Sequence, residues 1–569
     1  MIPDKKGIFW RLLHTSERVK IGLYFLLFFF QIVAYTALFH YAYPILENKP
    51  ISWPTAVLFV LETVTTTGYG ELLPFTNQIT IVIAIIMMIT GIILIFMIIP
   101  LLLIPYLSSM LHSQPPRRTP HELEDHVVIV GHGELTKSLI ESLMISDLSL
   151  LMVVDDEQTA KSFAQRFGKR AYVIWGDYAN PATWQHAWIQ NASHVIVCEN
   201  ERTTAMVILG IREMTRAHVI AVVDKLSFDR YLKYAGAEYV LSPKHVTGQI
   251  LARHAGLSSR SGTVPDEALY ETAFMDAVKD PAKKIRFIHI PVISCSPAAG
   301  KTLKELSLFS RYGVEVLFLS RFGHFHYDPS GDEVLDTSTM LFLVGTMTMI
   351  EEMMQREFLK EDCDTALAII AGYGDVGSAA YSEFTSLGVD CIVIDKKPQP
   401  VSEVVGNAED EMVLRQAHIE EARFCVVALN DDDLNIFTTL MARNLNPSLR
   451  ILARANQAVS VEKLYRAGAD YVALLPTIGG QVIAGVVLSE IVHIILDLPN
   501  GQKVVRKRTI PPIPKNVEWV ERKSGVRVIG IEGYTRSLVR PPPGTELMEG
   551  DSLLVTGDPV QLKKFIRLV

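Results

Sequence analysis

Two residue patterns in this 569-residue chain could do chemistry. The first is Thr66, Thr67, Gly68, Tyr69 and Gly70, uncharged residues that offer five backbone carbonyls in a row. Glycine at 68 and 70 permits unusual dihedrals, so successive carbonyls can turn to one side. A ring of such oxygens replaces the water shell of a dehydrated cation. The second pattern is a turn that occurs twice: Gly131, Gly133 and Thr136 after "HVVIV", and Gly372, Gly374 and Gly377 after "LAIIA". Each turn follows an apolar run and opens an amphipathic stretch. Each is answered by an acid ending the next apolar run: Asp155, 24 residues after Gly131, and Asp395, 23 after Gly372. Such glycines let backbone approach a phosphate, the helix N-terminus attracts it, and the acid takes ribose hydroxyls.

The elements that must position these residues are also legible. Ile21 to Tyr43 and Ile79 to Leu111 contain no Asp, Glu, Lys or Arg, and each is long enough to cross a bilayer. The first run is too long for a signal peptide core, and no small-residue cleavage site follows it. Lys5, Lys6, Arg11, Arg18 and Lys20 precede the first span and Arg117 and Arg118 follow the second, whereas 44–78 holds only Lys49. Both termini are therefore expected in the cytoplasm. Between the spans, "SWPTAVLFVLETVTTT" predicts a short re-entrant helix capped by Ser52, with Pro54 in its first turn. Irregular backbone beyond it survives at membrane depth only beside a water-filled cavity or inside protein. Gly91, Pro100 and Pro105 mark places where the second span can bend; Gly91 equally suits close helix packing. The apolar stretch Phe96 to Leu103 could narrow the inner mouth.

On these residues the pore region resembles the potassium-channel family. Thr66 to Gly70 match its T-V-G-Y-G filter, with Thr67 in place of valine, and the match implies K⁺ in the filter and a homotetramer. Glu71 stands at the usual aspartate, and Glu62 at a pore-helix glutamate that some members pair behind the filter. Gly91 falls where related two-span channels have a gating hinge.

The remainder reads as two Rossmann halves, each followed by helices and a compact β-rich tail. "LKYAGAEYV" (232–240) repeats as "LYRAGADYV" (464–472), and Gln249 and Gln481 each lie 13 residues beyond the repeated glycine. This arrangement resembles tandem RCK (TrkA-N and TrkA-C) domains of MthK-type channels. The expected fold is an α-helical pore domain with two transmembrane helices and a pore helix, followed by two α/β RCK domains. The expected boundaries are a pore domain at 1–112 and a linker at 113–125. The first RCK domain then covers 126–360 (Rossmann 126–245, helices 246–284, tail 285–360). The second covers 361–569 (Rossmann 361–475, helices 476–502, tail 503–569).

The resemblance implies a multi-pass protein of the cell's inner (plasma) membrane whose cytoplasmic gating ring responds to ligands. An adenine nucleotide such as NAD or ADP is expected at Gly131, Gly133, Thr136, Asp155 and Asp177, and at Gly372, Gly374, Gly377 and Asp395. An acid at the strand end disfavours a 2′-phosphate, hence NADP. Calcium needs several oxygen ligands. Glu201 and Asp224 match two acids of the family's calcium site, but Val222 replaces a third; Glu199 and "NDDDLN" (430–435) are other acidic candidates. The net charge of −8 argues against a nucleic-acid surface, and five scattered cysteines without CxxC spacing argue against disulfides or zinc. The function expected is a ligand-gated potassium channel and not an enzyme. The alternatives are a regulatory component of a K⁺ transport system, which would lack its own pore, and a membrane NAD-dependent oxidoreductase, for which no catalytic constellation is visible.

Overall fold

The computed structural model describes residues 17–111, 115–168, 170–256, 284–292, 296–358, 367–489, 491–497, 500–511, 513, 515–533 and 536–569. Two compact units divide between Gln114 and Pro115. The helical expectation for 257–283 lies outside the described residues.

In the first unit, α1 (Glu17–Glu47) and α3 (Gln78–Leu111) flank the short α2 (Trp53–Val64). Stretches of 24 residues in α1 and 19 in α3 are long and apolar enough to cross a membrane. Ser52 caps α2 by accepting from Thr55 N, with Pro54 in the first turn. Phe39 stacks on Phe59 at 4.3 Å, and Val60, Val64 and Met87 are fully buried around them. Polar ties join the long helices: Gln31 Nε2 and Tyr35 Oη both meet Thr90 Oγ1, at 3.0 and 2.9 Å.

The second unit holds two parallel sheets of six strands. The first contains β1 (His126–Val130), β2 (Leu150–Val154), β3 (Tyr172–Trp175), β4 (Ala192–Val197), β5 (His218–Val222) and β6 (Tyr239–Leu241), in the order β3-β2-β1-β4-β5-β6. An antiparallel sheet follows, with β7 (Ile285–Pro291), β8 (Glu315–Arg321), β9 (His324–Tyr327) and β10 (Thr339–Thr346), in the order β7-β10-β8-β9. The pattern then repeats. The second parallel sheet contains β11 (Leu367–Ala371), β12 (Asp390–Asp395), β13 (Ser402–Val405), β14 (Phe424–Val427), β15 (Arg450–Ala455) and β16 (Tyr471–Leu474), in the order β13-β12-β11-β14-β15-β16. The last antiparallel sheet contains β17 (His493–Asp497), β18 (Lys503–Arg508), β19 (Arg527–Glu532), β20 (Ser537–Val539) and β21 (Ser552–Gly557). In both parallel sheets the order reverses beside the first strand, the switch point where Rossmann folds bind ligands.

One expected element differs. Helix was anticipated over 476–502, yet it ends at Val487, and β17 begins at His493. His493, Ile494, Leu496 and Asp497 pair with β18, and that ladder outweighs the apolar run's helical appearance.

The helices that leave each parallel sheet do not return to their own module. α5 (Pro243–Gly256) packs along α6 (Asp375–Ser386), the helix that opens the second module's glycine turn. α7 (Leu475–Val487) packs along α4 (Glu134–Leu143), its counterpart in the first. Near the end of α5, His254 stacks between His289 and Tyr471, with ring centroids 3.7 and 3.9 Å away.

Burial first, then the charge of Arg450, pushes His289 down to about 4; burial also holds His254 well below its ordinary value. An unfolded chain protonates such histidines near 6.5, roughly the free value. Between that pH and the folded value the unfolded state binds more protons, so stability falls as pH falls through the window. Thermal midpoints should therefore drop from pH 7 towards pH 4, and His289→Phe should flatten that slope. An equal slope in the variant would remove His289 as its source.

Candidate functional site

Beyond α2 the chain turns through Thr65, and Thr67 N and Gly68 N donate to the carbonyl of Glu62 at 2.9 and 3.3 Å. φ is positive at Thr66 (60°), Gly68 (59°) and Gly70 (77°), but not at Thr67 or Tyr69. Alternation between positive and negative φ lets successive carbonyls turn to one side of the strand. The arrangement can therefore present a row of oxygens. Thr65 Oγ1 meets Thr67 Oγ1 at 2.8 Å and donates to Leu61 O at 2.7 Å, fastening the loop to its helix. Glu62 is buried and Glu71 exposed. Among the described residues no hydrogen bond joins their carboxylates. The helix runs unbroken through Gly91, whose hydrogen faces Val64: a Cβ there would come within 2.9 Å of Val64 Cα.

In both Rossmann modules the glycines take separate physical tasks. Gly131 (φ 111°) and Gly372 (φ 97°) press against the neighbouring strand's end, where a Cβ would lie 2.6 Å from Cys198 O or 3.0 Å from Leu429 Cδ2. Gly133 and Gly374 face open space, with nothing within 4 Å of an added Cβ. A Cβ on Gly377 would strike Gly372 O at 1.8 Å. Thr136 occupies the corresponding place in the first module and is fully buried. These are the positions at which a tight turn, an approaching diphosphate and helix–strand contact each need a small residue, so the residues present fit a dinucleotide.

The acids are differently engaged. Asp395 accepts Tyr373 N at 2.7 Å and Lys397 N at 2.9 Å, so it lies directly against the second turn. Asp155 is exposed at the end of β2. Asp177 caps its own turn by accepting Ala179 N at 2.9 Å. Glu199, an acidic calcium candidate by sequence, sits in the first crevice. Tyr178 Oη donates to Glu199 Oε1 at 3.2 Å, and His132 Nδ1 lies 3.7 Å from the same oxygen. Burial raises the Glu199 carboxyl above its usual range, with Asp155 adding to the effect. Ligand atoms of His132, Asp155 and Glu199 lie within 4.8 Å of one another. An imidazole with two carboxylates could hold a divalent cation. The three come from three different strand ends, which no local spacing reveals.

The proposed calcium acids are committed elsewhere. Glu201 Oε1 accepts Asp224 N and Lys225 N at 3.2 and 3.3 Å. Asp224 Oδ2 is 2.7 Å from Lys244 Nζ. Val222 points into the core. In "NDDDLN", Asp431 caps a helix by accepting from Asp433 N and Leu434 N, and Asp432 accepts Asn456 N and Gln457 N.

Two apolar helices around a short helix and a carbonyl-bearing loop, joined to paired Rossmann modules with small β domains, define an ion-channel architecture with attached Rossmann modules. The family descriptions agree: "Ion channel" matches 23–105, "TrkA-N domain" matches 127–243 and 368–475, and "TrkA-C domain" matches 288–356 and 515–569. The chain is 27% identical over 219 residues to Potassium channel protein 1 of Methanocaldococcus jannaschii. It is 30% identical over 229 residues to Probable potassium channel protein 2 of the same organism. Each match covers 35% of this chain and 66% of the relative. Among solved structures, the GsuK channel bound to NAD aligns with TM-score 0.55 and 25% identity, over 98% of this chain and all of that one. The chain thus joins an ion-channel domain to two pairs of TrkA-N and TrkA-C domains and is homologous to potassium channel proteins.

Proposed function

We propose that the protein is a potassium-selective channel, not an enzyme, whose pore is controlled by an adenine nucleotide, NAD or ADP, bound to its RCK modules. The observation that carries this reading is the alternating backbone handedness from Thr66 to Gly70 at the end of a capped short helix. One loop cannot surround an ion, so the working unit is a homotetramer in the inner membrane, with both termini cytoplasmic. Glu62 supports the filter through its backbone carbonyl, which takes Thr67 N and Gly68 N, while support from Glu71 would need its exposed carboxylate to turn towards Glu62. Gly91 serves close packing of α3 on α2, and bending at this point would have to part it from Val64. A nucleotide does gating work only through its different affinity for open and closed rings. When bound, it supplies a diphosphate for the two turns and ribose hydroxyls for Asp155 and Asp395. Calcium at Glu201 and Asp224 would have to displace Lys244 and two backbone N–H groups, so nucleotide is the effector favoured here.

The reading is tested by flux from proteoliposomes loaded with K⁺ or Na⁺ and titrated with NAD, ADP and Ca²⁺. K⁺ flux that exceeds Na⁺ flux and changes with nucleotide is expected; absence of any K⁺ flux defeats it. Asp395→Ala should shift the nucleotide dose–response by at least about ten-fold, the typical worth of a charged hydrogen-bond acceptor. An unchanged dose–response would place the effector elsewhere.

A further inference from the structure

Lys244 is the second residue of α5, a helix of the first module, and its ammonium stands between that module's Asp224 and the second module's Asp375. Nζ stands 2.7 Å from Asp224 Oδ2 and 3.7 Å from Asp375 Oδ2. Asp375 is the first residue of α6, directly after Gly374. The ammonium is therefore beside the turn on which a diphosphate would rest. An acid at the first position of a phosphate-binding helix repels its ligand unless a cation offsets it. In the first module the corresponding acid, Glu134, is met from its own helix by Lys137 Nζ at 2.5 Å. The second module has Val376, Gly377 and Ser378 after Asp375 and no such lysine. The buried Arg454 of its own β15 acts on Asp375 through charge, and the cation nearest in line for an ion pair, Lys244, comes from across the module boundary. The repeat is asymmetric here, because the residue eight beyond Gly236 is Lys244, while the residue eight beyond Gly468 is Pro476.

We propose that Lys244 is a phosphate ligand, donated by the first module, for a nucleotide diphosphate bound at Gly372–Gly377, and that Asp224 competes with the phosphate for it. Lysine acts on phosphate as a mobile point charge and needs no fixed fork, so the ammonium can move from Asp224 to a phosphate oxygen by side-chain rotation. Nucleotide at the second module then draws α5 towards it, linking the bound ligand to the first module. This inference rests on the reading of the second turn as a nucleotide site.

The two roles open to Lys244 predict different signs. If it is only a strut that holds α5 against Asp375, Lys244→Met breaks the strut while Asp224→Asn, a change within the first module, leaves it in place, and Asp224→Asn does not strengthen nucleotide binding. If it is a phosphate ligand with Asp224 as competitor, Lys244→Met weakens ADP and NAD binding to the second module by about ten-fold, while Asp224→Asn strengthens it a few-fold. Calorimetric titration of the full-length protein in detergent, with ADP and with NAD, reads both. Lys244→Arg, which keeps the charge, should bind within a few-fold of the parent and guards against misfolding of Lys244→Met. Opposite signs support the proposal; a shared sign, or unchanged affinity in either Lys244→Met or Asp224→Asn, overturns it. Asp395→Ala separates the layers. If Asp395→Ala binds as the parent does, the second-module site itself is refuted. If it is weakened while Lys244→Met is not, only the lysine's role is.

Discussion

Gly68→Ala is expected to abolish most potassium flux, whereas Thr67→Val is expected to conduct. Space does not decide this, since nothing lies within 4 Å of a Cβ at Gly68. Conformation decides it. φ at Gly68 is 59°, and a left-handed backbone costs an L-residue roughly 1–2 kcal/mol relative to glycine. Thr66 already carries the same burden at φ 60°, so the loop has little tolerance for a second strained residue. Four copies in a ring would add about 4 kcal/mol or more, on the order of a thousand-fold in the population of the conducting geometry. Thr67 has no positive φ, so valine fits its backbone; the loss is one hydroxyl contact with Thr65. Proteoliposome flux for the two variants, compared at equal protein incorporation, checks the pair. Wild-type flux through Gly68→Ala would mean that the loop's handedness is not what conducts.

The parts of this molecule that could be read from sequence are those written in contiguous residues. The pore loop, the cap at Ser52 and both glycine turns each rest on neighbours fewer than a dozen positions apart, so composition and spacing expose them. What escaped comes from distant segments. Glu199 reaches the first crevice from the end of β4, and Lys244 reaches the second turn from another module. β17 escaped because an apolar HIILD run is ambiguous until its partner strand is known. The left-handed Thr66 escaped because threonine gives no sign of it. The interlocked helices are an intermediate case. The repeat was visible at Gln249 and Gln481, and Gly248 and Gly480 stand immediately before them, 12 residues beyond Gly236 and Gly468. Its meaning was not, since the surface each glycine meets belongs to the other half.

Those two glycines set the second large expected effect. Glycine inside a helix costs about 1 kcal/mol relative to alanine, so its presence at both equivalent positions calls for a compensating contact. A Cβ at Gly248 would lie 2.2 Å from Val376 O and 2.7 Å from Ala379 Cβ; at Gly480, 2.7 Å from Ser138 Oγ and 2.8 Å from Leu139 N. The obstructing atoms are largely backbone of α6 and α4, which cannot rotate aside. Gly248→Leu or Gly480→Leu must therefore drive the crossover helix off the helix that opens a glycine turn. Overpacking of this kind costs about 1–3 kcal/mol, or roughly 2–12 °C in the melting point of modules of this size. Gly485, in the same α7, has nothing within 4 Å of an added Cβ, so Gly485→Ala should be neutral or stabilising by up to about 1 kcal/mol. Melting of the three full-length variants separates close approach from mere helix propensity. Because each crossover helix touches the helix that opens the other module's glycine turn, both leucine variants should also shift the nucleotide dose–response while Gly485→Ala leaves it in place. Leucine variants that melt and respond like the parent would show that contact between these helices carries neither stability nor signal.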